Sequence, residues 1–181
     1  MKRFYPDSYF HSVWELSPEF FRARGITHVI FDIDDTLVHH SLASPSDEVI
    51  ALFEQLQTAQ ITCALISNNV KERAETFNRP LNVFYTYLSH KPQKRAILPF
   101  LERFGVPPEQ IALVGDQIFT DVWLARRTGV YAVLVDPIGK FQTRFFYLKR
   151  ALEKPILRSY FKHVGKEVSP KTKKKKSARK K

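Results

Sequence analysis

Carboxylates crowd one short segment of this 181-residue chain, where Asp32, Asp34 and Asp35 follow directly on the apolar run Val29-Ile30-Phe31. Charge at the end of a buried run is costly unless a cation or a hydrogen-bonding partner offsets it, so the cluster calls for chemistry. Transfer of a phosphoryl group to a carboxylate needs an ionised nucleophile, a nearby acid for the leaving oxygen, and positive charge against the phosphate. Asp32 and Asp34 supply the first two roles. Asp116 and Asp121, within Gly115-Asp116-Gln117-Ile118-Phe119-Thr120-Asp121, are oxygen donors suited to completing the shell of a hard divalent cation, expected to be Mg²⁺. Ser67 offers a hydroxyl and Asn68 an amide to phosphate oxygens, and a lysine at or near Lys91 offers an ammonium, with Lys94 a rival for that part. His39 and His40 read as loop histidines and receive no role.

These groups lie far apart in sequence, so the elements between them must bring them together. Val29 to Phe31 is short, apolar and rich in β-branched residues, as a buried parallel strand is. Ser44-Pro45-Ser46-Asp47 starts a helix whose apolar positions Val49, Phe53 and Leu56 recur at helical spacing, ending near Gln60. Ile61 to Ile66 is a second strand and Val70 to Phe77 a helix. Asn82 to Leu88 is a third strand, and Gln93 to Phe104 a helix closed by Gly105. Ile111 to Val114 is a fourth strand, followed by a helix to about Thr128 with Gly129 as its stop, and Tyr131 to Val135 is a fifth. Alternating strands and helices predict a Rossmann-like α/β three-layer sandwich on a five-stranded parallel sheet. Polar clusters after strands one, two and four would then meet at the carboxyl edge. Strands alternate their side chains, so Asp32 and Asp34 serve one site only if the chain turns near Asp35-Thr36.

The formal charge of +11 invites a nucleic-acid reading until it is located. Residues 140–181 hold 16 of the 29 Lys/Arg and 2 of the 18 Asp/Glu, so the rest of the chain is slightly acidic. The expected organisation is an aromatic and basic N-terminal flank over 1–24, a catalytic domain over 25–139, a basic aromatic helical flank over 140–166, and a disordered Lys-rich tail over 167–181. The single cysteine, Cys63, has no disulfide partner and reads as a buried thiol in a reducing compartment. No apolar run is long enough to span a bilayer and Met1 to Arg24 lacks a secretory core, which places the protein at the cytoplasmic side.

Asp32-x-Asp34-x-Thr36, Ser67-Asn68, Lys91 and Gly115-Asp116 with Asp121 occur in the order of the motifs of the haloacid dehalogenase (HAD) superfamily, which the chain resembles. Ile30-Phe31-Asp32-Ile33-Asp34, Ser67-Asn68-Asn69, His90-Lys91-Pro92 and the Gly115–Asp121 segment resemble more narrowly the YqeG-like subfamily IIIA. That group is similar to mitochondrial phosphatidylglycerophosphate phosphatases. The resemblance implies that Asp32 forms an aspartyl-phosphate and that Asp34 serves as acid, then base. It also implies that Mg²⁺ is held by Asp32, the Asp34 backbone carbonyl and Asp116, with Asp121 in support. Asp35 stands where relatives often carry Asn.

Neither the gap from Leu37 to Ala43 nor that from Val70 to His90 has room for a cap domain, so the site should be open and suited to phosphate on a bulky carrier. Phe4, Tyr5, Tyr9, Phe10, Trp14, Phe20 and Phe21 near the N-terminus, and Phe141, Phe145, Phe146, Tyr147, Leu148 and Phe161 among basic residues, suit interfacial flanks, and equally helices packed over the core. The favoured reading is a phosphomonoester hydrolase for a lipid phosphate such as phosphatidylglycerophosphate, peripheral on an anionic membrane through residues 140–181. The alternatives are a phosphatase of nucleic-acid ends, favoured by the Lys-rich tail, and a non-catalytic RNA- or membrane-binding module.

Overall fold

Apolar residues that alternate in the strands divide between two faces, and this division builds the molecule. In β2 (His28–Asp32), Val29 and Phe31 point to one side and Ile30 to the other. The first side is covered by α1 (Pro18–Arg22), α2 (Asp47–Thr58) and α3 (Lys71–Asn78), through Phe21, Phe53, Leu56 and Phe77. The second is covered by α4 (Leu98–Phe104), α5 (Trp123–Thr128) and α6 (Arg144–Val164), through Phe100, Leu124, Ile156 and Tyr160. The result is a three-layer α/β sandwich with both sheet faces buried, as parallel strands require. The computed structural model describes residues 2–139 and 144–164.

The sheet is parallel throughout, in the order β1-β6-β5-β2-β3-β4. Its other strands are β1 (Ser8–Phe10), β3 (Thr62–Ile66), β4 (Phe84–Thr86), β5 (Ile111–Gly115) and β6 (Tyr131–Val135). From β2 the chain winds outward through β3 and β4, then returns to the other side of β2 for β5 and β6. The carboxyl ends of β2, β3 and β5 therefore flank a topological switch point, where such sheets bind ligands. Asp32 pairs in register with Ile66, and Phe31 with Val114, so the segments after these strands emerge side by side.

Several expectations change. The sheet has a sixth strand, because Ser8–Phe10 pairs with Val133–Val135 at the edge. Most of its flanking aromatics pack inward, while Trp14 stays exposed. Phe21 and Tyr9 are buried, Phe10 meets Phe20 edge to face, Phe4 packs on Phe119 and Trp123, and Tyr5 packs on Tyr160. Rings that bury this much area against a sheet edge contribute to the core.

The helix expected over Gln93–Phe104 is broken into a 3₁₀ turn at Lys94–Ala96 and α4, since Pro99 removes a donor and crowds the residue before it. The strand expected over Asn82–Leu88 shrinks to Phe84–Thr86 at the far edge, where Asn82 and Leu88 take left-handed backbone. Gly105 and Gly129 end α4 and α5 in left-handed conformations. Cys63 is buried, and burial pushes its thiol up to about 12. Among the described residues no domain is inserted between strands, and no helix is long and apolar enough to cross a membrane. The tail expected over 167–181 lies outside the described residues.

Candidate active site

β2 ends at Asp32, and the chain then reverses tightly. Asp35 has φ +61°, a left-handed conformation that Asp tolerates better than β-branched residues do. The N–H groups of Leu37 and Val38 donate to the Ile33 carbonyl at 3.0 and 3.4 Å, and the Asp35 N–H donates to Val38 O at 2.7 Å. The reversal cancels the strand alternation. Ile33 turns into the core, while Asp32, Asp34 and Asp35 line one open cleft of about 400 Å³ with His40, Asn68, Asn69, Lys91, Gln117 and Thr120.

At the floor of the cleft, Lys91 Nζ lies 2.6 Å from Asp32 Oδ1 and 2.7 Å from Asp121 Oδ1, with all three side chains buried. The chain before Lys91 is bent by left-handed Leu88 and His90, and the Lys91–Pro92 peptide is cis. The β3 end clamps this loop. Asn68 Oδ1 accepts from the Lys91 N–H at 2.8 Å and from Ser89 Oγ at 3.0 Å, and Asn68 Nδ2 donates to Lys91 O at 3.2 Å. Ser67 O accepts from the Ser89 N–H and hydroxyl, and Ser67 Oγ from the Asn69 N–H at 3.0 Å. The Asn68 amide thus holds the lysine loop in place, and Asn68 also lines the cleft. Of the two rival lysines, Lys91 enters the cleft and Lys94 is exposed.

The third wall comes from β5. Asp116 is buried, accepts from Thr36 Oγ1 at 3.3 Å, and is paired with Arg150. Asp121 projects from a π-helical turn, Ile118–Val122, that leads into α5. Its Oδ2 accepts from the Gln117 N–H at 3.2 Å and from Thr120 Oγ1 at 3.1 Å. The Asp121 carboxylate lies directly over Gly115, where an added Cβ would stand 2.3 Å from Asp121 Cγ.

Electrostatically the site is short of positive charge. Burial pushes the Asp32 carboxyl up to about 7, with Lys91 pulling it back and Asp121 and Asp34 adding to the rise. Burial also raises Asp116 well above its ordinary value, against the pull of Arg150. Burial disfavours the Lys91 ammonium, but Asp121 and Asp32 outweigh it and raise the lysine above its ordinary value. One oxygen from each of Asp32, Asp116 and Asp121 lies within 4.8 Å of the others. This all-oxygen, anionic and buried donor set fits a hard divalent cation.

Several residues here carry no motif signal. Arg73 of α3 donates to Asp34 Oδ1 through Nη2 at 2.9 Å and Nε at 3.2 Å, while Asn69 Nδ2 reaches Asp34 Oδ2 at 3.4 Å. In sequence Arg73 is indistinguishable from its neighbour Lys71. Arg150 and Glu153 of α6 reach Asp116 and the chain after it. Glu153 did carry a faint signal, as one of only two acids in the basic region 140–181. His40 donates its N–H to Asp35 Oδ1 at 3.1 Å, and its ring Nδ1 lies 2.8 Å from the same atom.

Aspartates at the ends of β2 and β5, with a lysine between them, meet at a parallel switch point, as in α/β enzymes that bind ligands at the carboxyl edge of the sheet. Residues 37–135 match the family of haloacid dehalogenase-like hydrolases, and the chain belongs to that family. A Bacillus subtilis protein named "Probable phosphatase YqeG" is 30% identical over 159 residues, spanning 86% of this chain and 91% of that relative. An Arabidopsis thaliana haloacid dehalogenase-like hydrolase domain-containing protein is 23% identical over 92 residues, 48% of this chain and 38% of its own. The solved structure of a hypothetical protein from Xanthomonas campestris shares the fold, with a TM-score of 0.53 at 20% identity over 66% of this chain and 72% of that one.

Proposed function

We propose that this HAD-type phosphatase is Mg²⁺-dependent and hydrolyses the phosphomonoester of a lipid, such as phosphatidylglycerophosphate, at the anionic cytoplasmic face of a membrane. The observation that carries the hydrolytic reading is Asp32, a buried carboxylate 2.6 Å from Lys91 at the floor of a cleft that Asp34 also lines. In this reading an Asp32 oxygen attacks phosphorus and forms an aspartyl-phosphate as the ester P–O bond breaks. Asp34, oriented by Arg73, donates its proton to the leaving alkoxide. It then takes a proton from a water whose oxygen attacks phosphorus, and the bond to Asp32 breaks with release of inorganic phosphate. Lys91 and the Ser67 hydroxyl offset charge on the transferring group. Asp32, Asp116 and the Asp34 carbonyl, supported by Asp121, would hold the cation, which when bound lowers the repulsion between phosphate and nucleophile.

Two features support the lipid part of the reading. Among the described residues nothing caps the cleft, so a bulky carrier can remain outside while its phosphate enters. On α6, Tyr147, Leu148, Ala151, Leu152 and Pro155 are exposed at helical spacing, opposite the buried Glu153, Ile156 and Tyr160. Lys154, Arg158 and Lys162 are exposed on the same helix, and basic residues beside an apolar stripe suit an anionic interface, each contributing on the order of 1 kcal/mol.

The test is a panel of lipid, nucleotide and sugar phosphates with and without anionic vesicles, using wild type, Asp32→Asn and Leu148→Asp/Leu152→Asp. Asp32→Asn should release no phosphate from any substrate. The double variant should lose vesicle stimulation but retain turnover of a soluble aryl phosphate. Full activity of Asp32→Asn refutes the nucleophile, and preference for oligonucleotide ends over lipid phosphates refutes the substrate class.

A further inference from the structure

α6 is the last described element, yet it reaches the innermost carboxylate of the site. Arg150 Nη1 donates to the Asp116 backbone carbonyl at 2.6 Å and Nη2 is bonded to Asp116 Oδ2, so one guanidinium grips both the main chain and the side chain. The fork is itself braced. Glu153 Oε2 accepts from Arg150 Nη1 at 2.7 Å, and Glu153 Oε1 accepts from the Ile118 N–H at 2.9 Å, two residues beyond Asp116. Glu153 is buried, and Ile156 and Tyr160, further along the same helix, anchor α6 in the core. On the other side Thr36 Oγ1 touches Asp116 Oδ1. Both carboxylate oxygens and the carbonyl of Asp116 are therefore held, in large part from an element distant in sequence.

A planar guanidinium that bonds a carboxylate and a neighbouring carbonyl fixes orientation in a way a point charge cannot. Outer partners of this kind tune how well a ligand carboxylate holds a metal, and losing one typically costs about 10- to 100-fold in affinity. We propose that Arg150, braced by Glu153, is the positioning residue of Asp116, so that the divalent-cation site takes its binding geometry only with α6 docked. This rests on reading Asp116 as a cation ligand. Arg150 touches no reacting atom in this scheme. Its bonds to the Asp116 carbonyl and to Glu153 distinguish it from an arginine that merely stands where a cation would go.

The experiment measures Mn²⁺ binding to the full chain by titration calorimetry for wild type, Arg150→Ala, Arg150→Lys and Glu153→Gln, with circular dichroism melting alongside. Arg150→Ala should weaken Mn²⁺ roughly 10- to 100-fold, and Arg150→Lys and Glu153→Gln should fall between it and wild type. With an aryl phosphate, kcat of Arg150→Ala should recover as Mn²⁺ is raised while KM for the ester stays unchanged. If Arg150→Ala fails to fold, Arg150→Lys decides, and wild-type Mn²⁺ affinity in the lysine variant overturns the proposal. Unchanged or tighter binding by folded Arg150→Ala also overturns it, tighter binding showing that the arginine competes with the cation. A wild-type chain that binds no Mn²⁺, or binds it unaffected by Asp116→Asn, refutes the cation reading itself and the proposal with it.

Discussion

Replacing Gly115 by alanine tests whether the Lys91–Asp121 contact sets the position of the lysine. The new Cβ would stand 2.3 Å from Asp121 Cγ, 2.5 Å from its Cβ and 2.6 Å from Oδ2, whereas carbon atoms rest at about 3.5–4.0 Å. Gly115 cannot yield, because it sits in the β5 ladder opposite Leu134. Asp121 must therefore move by about 1 Å or more, which stretches its 2.7 Å bond to Lys91 beyond hydrogen-bonding range. A charged hydrogen bond is worth roughly 1.5–3 kcal/mol, so kcat/KM should fall roughly ten- to a hundredfold. Overpacking should also lower stability by about 1–3 kcal/mol in urea unfolding. Steady-state kinetics with an aryl phosphate measures the first effect. An Asp121→Gly background, which removes every clashing atom, separates the two, because there the alanine should add little. A folded Gly115→Ala enzyme with kcat/KM within about twofold of wild type refutes the reasoning, as does an equal loss in the Asp121→Gly background.

Arg73→Ala should lower kcat by roughly 10- to 100-fold by freeing Asp34 from its two guanidinium bonds, with partial rescue by Arg73→Lys; unchanged kcat removes the assigned role. Stripping divalent cations with EDTA should abolish turnover reversibly, and millimolar Mg²⁺ should raise the melting temperature, by an amount equivalent to about 2.7 kcal/mol at a hundred times the dissociation constant. Asp35→Asn should leave stability within about 1 kcal/mol of wild type, since Asn also tolerates the left-handed backbone, whereas Asp35→Val should cost distinctly more in chemical denaturation. Burial raises the Tyr9 phenol above its ordinary value near 10, and its bond to Asp136 Oδ1 at 2.6 Å adds to the rise. The folded state thus keeps a proton the unfolded chain releases, so this stabilising contribution is intact below about pH 10 and declines as pH rises further. Tyr9→Phe should flatten that alkaline decline in melting temperature.

Much of the fold was legible because parallel strands buried on both faces read as compact apolar runs. Val29–Phe31, Ile61–Ile66, Ile111–Val114 and Tyr131–Val135 each lie within a residue or two of an observed strand. Ser8–Phe10 was not legible, since a three-residue edge strand set among aromatics has no periodic signature and is defined by its pairing with β6. The π-helical turn at Ile118–Val122 likewise has no pattern of its own, yet it sets where Asp121 points. The N-terminal aromatics show the same limit, because a ring suited to a membrane interface is equally suited to a sheet edge.

By itself the sequence determined which groups could do chemistry, because a carboxylate cluster after a buried run, a hydroxyl-amide pair and a second aspartate pair are local facts of residue type and order. The tertiary structure decided how they are held. It gave Lys91 rather than Lys94 to Asp32, made Asn68 a clamp on the lysine loop, put Arg73 on Asp34, and brought Arg150 from α6 to Asp116. The physical reason is that residue type sets the charge a group can carry, while the cost of burying that charge is settled by whichever partners the fold brings within hydrogen-bonding distance, whatever their separation in sequence.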